Sequence, residues 1–560
     1  MKLLILSLLG LIIVSCSASN KPDLGLVTDH AMVVSARKEA SEIGSKIMEQ
    51  GGNAFDAMIA TELALVVAYP FAGNIGGGGF MVYRTAQGTY GAIDYREKAP
   101  MSATRDMYLD DNGSVIKGMS TMGATAIGVP GTIAGLFEVH EKFGSLPIEN
   151  LIQPVIDLAE NGVIVTKKQA DRLKSYRALL QAANGSNSLY AKVYNEGDTI
   201  KNIAFANTLK RIMKNGKDEF YKGESAQILA KFILDKGGYI TEDDLAAYEA
   251  VWRQPIIFKY KDLKVISMSP PSSGGVTMNQ LFKMIEPYHI GQYGHNSTEA
   301  IQLFVEAARR AYADRNYYLG DPDFVAIPLD VLLSDSYLRK RFDSFSFNTA
   351  TSSLDVSHGP VEVIESDQTT HYSIVDEFGS AVSVTTTLNG AFGSKLFCEE
   401  LGIFLNNEMD DFSSKIGVPN MFGLIGAEAN SIEPQKRMLS SMTPTIIEKD
   451  NELYAVVGTP GGSTIITAVA QIILNLYEFN MGMQEAVNAK RFHHQWLPDE
   501  IVFEATGFSE KLLQELASKG YNVSQGNTRI IGKVDAIKRL QDGRLEAGAD
   551  PRGDDTAVGF

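Results

Sequence analysis

The 560-residue chain has only two cysteines, two tryptophans and eight histidines, and fewer Lys and Arg (51) than Asp and Glu (67). Each shortage excludes something. With Cys16 and Cys398 as the whole complement, no disulfide framework can carry the fold. A formal charge of −16 argues against nonspecific binding to nucleic acid, which needs a cationic surface. No Cys/His/carboxylate cluster has metal-ligand spacing, and the adjacent pair His493-His494 would point to opposite sides of a strand, so neither a metal nor another cofactor is expected. Solenoid repeats, low-complexity tracts and six-residue charge runs are also missing. What remains is a mix of 44% apolar and 21% charged residues, ordinary for a globular protein with ample core material. Length alone suggests three or four domains, as a soft prior.

The N-terminus departs from this mix. Met1-Lys2 precedes LLILSLLGLIIVSCSASN: one positive charge, a short apolar run, then small residues. That is the pattern of an export signal, and the run is too short for a comfortable membrane span. Residues 13–16, IVSC, resemble a bacterial lipobox, which implies removal of residues 1–15, lipidation at Cys16 and a tether over 16–25. The alternative is a common secretory peptide that happens to contain a cysteine. Cys398, in GSKLFCEELG, has two acidic neighbours and no nearby histidine, so a buried, inert thiol is expected.

The first half reads as helix-rich. A short strand near residue 33 leads to a helix ending at Gly51-Gly52, then a second helix capped by Asn53 and stopped before Pro70. FAGNIGGGGFMVYR resembles a phosphate loop only superficially. It lacks the Lys-Ser/Thr pair and precedes a strand, so close backbone packing accounts for its glycines. A long helix is expected over about 297–318, capped by Asn296 with Glu299 in reply. Residues from about 345 to 368 are polar and read as a linker with few core residues. Beyond it the period changes to two: strands near 371–375 and 381–389 form a hairpin, a strand follows at 453–457, and a helix follows Ser463.

SDQTTHYSI thus places two threonines where a linker meets a sheet. A threonine hydroxyl is a weak nucleophile until a base takes its proton. One available base is the residue's own α-amine, which requires that the preceding peptide bond be cut. The Gln368-Thr369 junction suits such a cut, although a plain strand start is the better account of the pair taken by itself.

TTHYSIVDEFGSAVSVTTTLNGAFGS closely resembles the start of the small subunit of γ-glutamyltransferases, members of the N-terminal nucleophile hydrolases. The similarity continues through LNNEMDDFS, RMLSSMTPTI, GTPGGSTII, RFHHQWLPDE and ADPRGDDTAVGF, and in the first half through GGNAFDA, NIGGGGFMVYR, IDYREKAP, PPSSGGV and YLGDPDF. It implies an α+β fold, a four-layer αββα sandwich built from two autocleaved chains: a large subunit, 16–368, and a small catalytic subunit, 369–560, associated as a heterodimer. It implies autocleavage between Gln368 and Thr369, and a Thr369 nucleophile oriented by Thr387. Gly461 and Gly462 would form the oxyanion hole. Arg96, Ser440 and Ser441 would hold the α-carboxylate of a γ-glutamyl donor such as glutathione, while Asn389, Glu408 and Asp411 would hold its ammonium. Water or an amino-acid or dipeptide acceptor would receive the acyl group, and only a lipid anchor would bind the membrane. Residues 413–430 match the lid, with Phe422 where tyrosine is frequent. Met438 replaces a usual proline and Thr464 a usual arginine, and neither is expected to touch catalytic atoms. Acylases and poly-γ-glutamate depolymerases share the nucleophile but vary the amino-acid anchors.

Overall fold

The computed structural model describes residues 24–356, 369–525 and 530–560. Two seven-stranded antiparallel sheets lie face to face. The first runs in the order Val27–Thr28, Leu545–Ala549, Asp535–Arg539, Glu452–Gly458, Thr445–Lys449, Leu263–Ser267, Ile256–Tyr260. The second runs Thr556–Gly559, Met32–Ser35, Thr370–Val375, Ala381–Thr387, Gly78–Arg84, Tyr90–Asp94, Val251–Arg253. Each sheet therefore mixes strands from both halves of the chain. Helices Lys38–Glu49 and Ala54–Ala68 cover the outer face of the second sheet; Gly274–Ile285 and Thr464–Tyr477 cover that of the first. The result is the expected αββα sandwich.

The hairpin expected around residue 378 is present, with Thr370 opposite Thr386 and Val375 opposite Ala381. Alternation then sorts its side chains. Tyr372, Ile374, Val382 and Val384 enter the helix-side core. His371, Ser373, Ser383 and Thr385 face the other sheet, all buried. This inter-sheet layer is polar and hydrogen-bonded. His371 Nδ1 pairs with Thr385 Oγ1 at 2.9 Å and Nε2 with Ser373 Oγ at 3.1 Å. Ser373 donates to the Asp535 carbonyl at 2.9 Å and Ser383 to that of Val457 at 3.2 Å. Burial pushes the His371 pKa down to about 3, so the ring is neutral.

Several local expectations hold. Asn53 caps Ala54–Ala68 in a capping box with Asp56, and Cys398 is buried, with burial pushing its thiol up to about 11. Two need correction. The cap of Thr298–Tyr318 is Ser297, whose side chain accepts from Ala300 N–H at 3.1 Å. Asn296 stands one residue earlier at φ 52°, where its amide donates to the Lys490 carbonyl. Nor is the stretch from 345 a bare linker as far as it is described. Phe345 and Phe347 pack on Tyr288, and Ser353 bonds to the Trp496 carbonyl at 2.6 Å. The remainder of that stretch, including Gln368, and the N-terminal signal with Cys16 lie outside the described residues.

A Cβ at Gly458 would stand 2.1 Å from His371 Cε1. Gly458→Ala is therefore expected to destabilise the protein by about 1–3 kcal/mol through overpacking between the sheets, read as a lower urea midpoint. An unchanged midpoint would refute the tight inter-sheet contact.

Candidate active site

One step beyond the Thr370–Thr386 pair, the same register sets Thr369 opposite Thr387. Both occupy odd positions and so share the inter-sheet side with His371 and Thr385. Both are buried, so Thr387 does not face solvent. The Thr387 hydroxyl oxygen accepts from Asn389 N–H at 2.7 Å, and Asn389, at φ 66°, turns the chain out of the strand.

At this edge of the sandwich lies a small, partly open cavity. Its wall contains Thr369, Thr387, Asn389, Arg96, Glu408, Asp411, Phe422, Ser440, Ser441 and Gly462. Of the residues selected from sequence, Gly461 alone among those described stands just behind the wall. Its carbonyl accepts from Thr464 N–H at 3.0 Å and from Thr464 Oγ1 at 2.8 Å, opening helix Thr464–Tyr477. Among the described residues, neither Gly461 N–H nor Gly462 N–H has an acceptor. Gly461 (φ 143°) and Gly462 (φ 55°) adopt backbone conformations that favour glycine, and a Cβ at Gly462 would meet the Phe422 ring at 2.5 Å.

Electrostatics dominate the opposite wall. Arg96, 1% exposed, donates to Glu408 and to Asp411 and lies 3.5 Å from Glu97. Burial opposes its charge, but Glu408, Asp411 and Glu97 together raise its pKa. One guanidinium cannot fully compensate three buried carboxyls. Burial pushes Glu97 up to about 7 and Asp411 up to about 6, with Arg96 pulling both back, and Glu408 is held well above the ordinary carboxylate range. Neither carboxyl oxygen of Glu97 has a hydrogen-bond partner among the described residues. These groups form neither a surface ion pair nor a solvated acidic loop.

Asparagines fix the acidic segment. Asn406 donates to the carbonyls of Gly76 and Gly128 and accepts from Glu408 N–H at 3.0 Å. Asn389 donates to the Asn407 carbonyl. Over the lid stretch, Asn420 donates to Asp411 and accepts from Phe422 N–H at 3.0 Å, and Asp410 accepts from Met421 N–H. None of Asn406, Asp410 or Asn420 was singled out from sequence, although all stand in or beside the quoted blocks. Arg315, also in the cavity wall, was missed too, being one arginine among several on its helix. Both departures lie next to site residues, Met438 through its main chain and Thr464 through its side chain. The Met438 carbonyl accepts from Arg96 Nε at 3.4 Å, and Thr464 binds the Gly461 carbonyl. His493 and His494 have separate partners, Thr467 with Gln495 and Asp499 respectively.

Folding favours a proton on Glu97, because its pKa in the folded chain lies above the ordinary 4.5. That contribution is fully present below pH 4.5 and is lost as pH rises through about 7. Glu97→Gln, which keeps the shape without the charge, is thus expected to gain stability relative to the parent between pH 5 and pH 8, followed as a growing difference in Tm. A pH-independent difference would refute it.

The family model described as gamma-glutamyltranspeptidase matches residues 40–560. A glutathione hydrolase proenzyme of Escherichia coli (strain K12) is 45% identical over 534 residues, 94% of this chain and 92% of the relative. An acylase ACY 1 proenzyme of Pseudomonas sp. (strain SE83) is 33% identical, covering 97% and 95%. Among solved structures, the Helicobacter pylori gamma-glutamyltranspeptidase aligns with TM-score 0.57 at 41% identity, covering 60% of this chain and 96% of that one. A Bacillus halodurans cephalosporin acylase aligns with TM-score 0.84 at 23% identity over 98% and 99%, a likeness of fold.

Proposed function

The chain belongs to the gamma-glutamyltranspeptidase family, and from that premise we propose that it cuts itself before Thr369 and transfers γ-glutamyl groups from glutathione or related amides. The observation that carries this reading is the cavity itself: Thr369 and Gly462 share its wall with Arg96, Glu408, Asp411 and the Ser440–Ser441 pair.

In maturation, the Thr369 hydroxyl attacks the Gln368 carbonyl carbon and the acyl group shifts from nitrogen to oxygen. Water hydrolyses the ester, leaving a carboxylate on Gln368 and a free amine on Thr369. The products are a large chain, 16–368, and a small chain, 369–560. Strands from both halves pair with one another in each sheet, so the two remain a heterodimer.

In turnover, the new α-amine, with an ordinary pKa of roughly 7.7–8.0, takes the hydroxyl proton as Thr369 Oγ attacks the γ-carbonyl carbon. Thr387, whose oxygen already accepts from Asn389 N–H, has its own O–H left to donate to Thr369. Negative charge developing on the carbonyl oxygen meets the unengaged N–H groups of Gly461 and Gly462. Collapse expels the amine, which takes the proton back, and leaves a γ-glutamyl ester on Thr369. Water or an acceptor amine then attacks that ester, a ping-pong sequence. Arg96, Ser440 and Ser441 hold the donor's carboxylate; Asn389, Glu408 and Asp411 hold its ammonium, supplying the positive charge that the acidic wall lacks. That full set of amino-acid anchors favours γ-glutamyl donors over the other acyl groups such a nucleophile can serve.

Export with a lipid on Cys16 completes the proposal. Among the described residues no helix is long and apolar enough to cross a membrane.

On a denaturing gel the protein is expected to give two bands, the smaller beginning TTHYS by Edman sequencing and the larger labelled by radioactive palmitate. Thr369→Ala is expected to stay as one band and to lose at least about 10³-fold in γ-glutamyl-anilide hydrolysis; normal splitting and turnover by that variant would end the reading. Cys16→Ser is expected to abolish palmitate labelling without changing activity in detergent, and persistent labelling would remove the anchor.

A further inference from the structure

Arg315 is the second guanidinium in the cavity wall, and the mechanism above does not use it. It projects from the last turn of helix Thr298–Tyr318 and is 4% exposed. No carboxylate among the described residues lies within ion-pair distance of it, although the charge of Asp411 acts on it from farther away. Instead it makes three neutral contacts: Nε to Ser273 Oγ at 3.1 Å, one terminal nitrogen to Asn316 Oδ1 at 2.9 Å, and the other to Ser441 Oγ at 3.0 Å. Burial lowers its pKa to about 10, so it still carries its charge at neutral pH.

These contacts fix the direction of the hydroxyls. Arginine has donors only. Ser273 Oγ and Ser441 Oγ must therefore both accept from it. Ser273 passes its own proton to the Ser440 carbonyl at 2.8 Å. Ser440 Oγ already accepts from Met442 N–H at 3.1 Å. Both cavity serines thus have a lone pair engaged by a protein donor, and each has its O–H left to give. Two hydroxyls side by side, each with its O–H available, can receive an anion, and the charge of Arg315 behind one of them strengthens its donation.

We propose that Arg315 is a positioning residue which, by occupying a lone pair of Ser441 and polarising its O–H, biases the serine pair toward donating and so selects donors that carry an α-carboxylate. This rests on the γ-glutamyl reading. It concerns Arg315 alone and does not alter the assignment of Arg96.

The test compares γ-glutamyl anilide with 4-aminobutyryl anilide, the same amide without the carboxylate, in the matured heterodimer. Arg315→Gln is expected to raise KM for the γ-glutamyl donor on the order of tenfold or more, the loss appropriate to a charge-assisted hydrogen bond. The change in kcat should stay below about threefold, and kcat/KM for the carboxylate-free donor should move by less than about twofold. In a Ser441→Ala background the same substitution should add less than about twofold, because the two residues act as one unit. Equal losses on both donors, or full additivity with Ser441→Ala, would overturn the proposal. If Arg315→Gln does not split into two chains, Arg315→Lys carries the comparison, since it keeps the charge and loses the fork. A KM rise confined to the carboxylate donor then supports the role, and a uniform loss overturns it. Failure of the underlying reading would look different, as a parent protein that never splits or never cleaves γ-glutamyl anilide.

Discussion

The site depends on one uneven balance: the Arg96 guanidinium faces Glu97, Glu408 and Asp411 in a place that water barely reaches. Burial resists charge on every member, and the Arg96 guanidinium is the main force opposing their protonation, joined at Asp411 by the charge of Arg315. Such a cluster adds little to stability, since a buried ion pair returns in attraction roughly what desolvation takes. Its value is chemical. An acidic surplus in a closed space favours a ligand that brings a cation, and the hydroxyl donors a few residues away favour a ligand that brings an anion. A zwitterion satisfies both at once. The asparagines around it, Asn389, Asn406 and Asn420, prevent the acidic segment from relaxing toward solvent.

The position of Thr369 follows from the sheets. Because a strand alternates, the hairpin that buries Tyr372 and Ile374 under helices must aim His371, Ser373 and, one step earlier, Thr369 at the opposing sheet. That inner layer would ordinarily be aliphatic. Here it is a chain of hydroxyls around a neutral histidine, each with a stated partner. A one-residue slip would send Thr369 to the helix side and Tyr372 between the sheets, so the apolar pattern of the hairpin also fixes the register of the nucleophile. Gly458, directly against the His371 ring, lets the sheets approach closely at this point.

Much of this was legible in sequence because periodicity is local. The hairpin, the helix after Ser463 and the Asn53 cap follow from side-chain spacing and need no partner to be recognised. Ser297 rather than Asn296 capping Thr298–Tyr318 is an ambiguity of one residue between two good caps, resolved only by where the chain enters. The burial of the NNEMDDF segment, residues 406–412, could not be read from residues alone, since five polar positions in seven resemble a solvated loop. Only the match to family blocks pointed inward. Arg315 shows the limit most clearly: its meaning lies in two serines 42 and 126 positions away in the chain, and no spacing rule connects them.

The lid exposes a different economy. Where relatives are expected to place a tyrosine, Phe422 offers no hydroxyl, yet its ring lies against Gly462 and closes that side of the cavity. Its position is held through the backbone: its N–H donates to Asn420 Oδ1, and its carbonyl accepts from Gln495 at 3.3 Å. Asn420 in turn is bound to Asp411, which is bound to Arg96. The lid is therefore fastened to the same guanidinium that organises the acidic wall. One chain of hydrogen bonds thus joins the Phe422 backbone to the acidic wall, and the ring adds only its apolar area to the cavity lining.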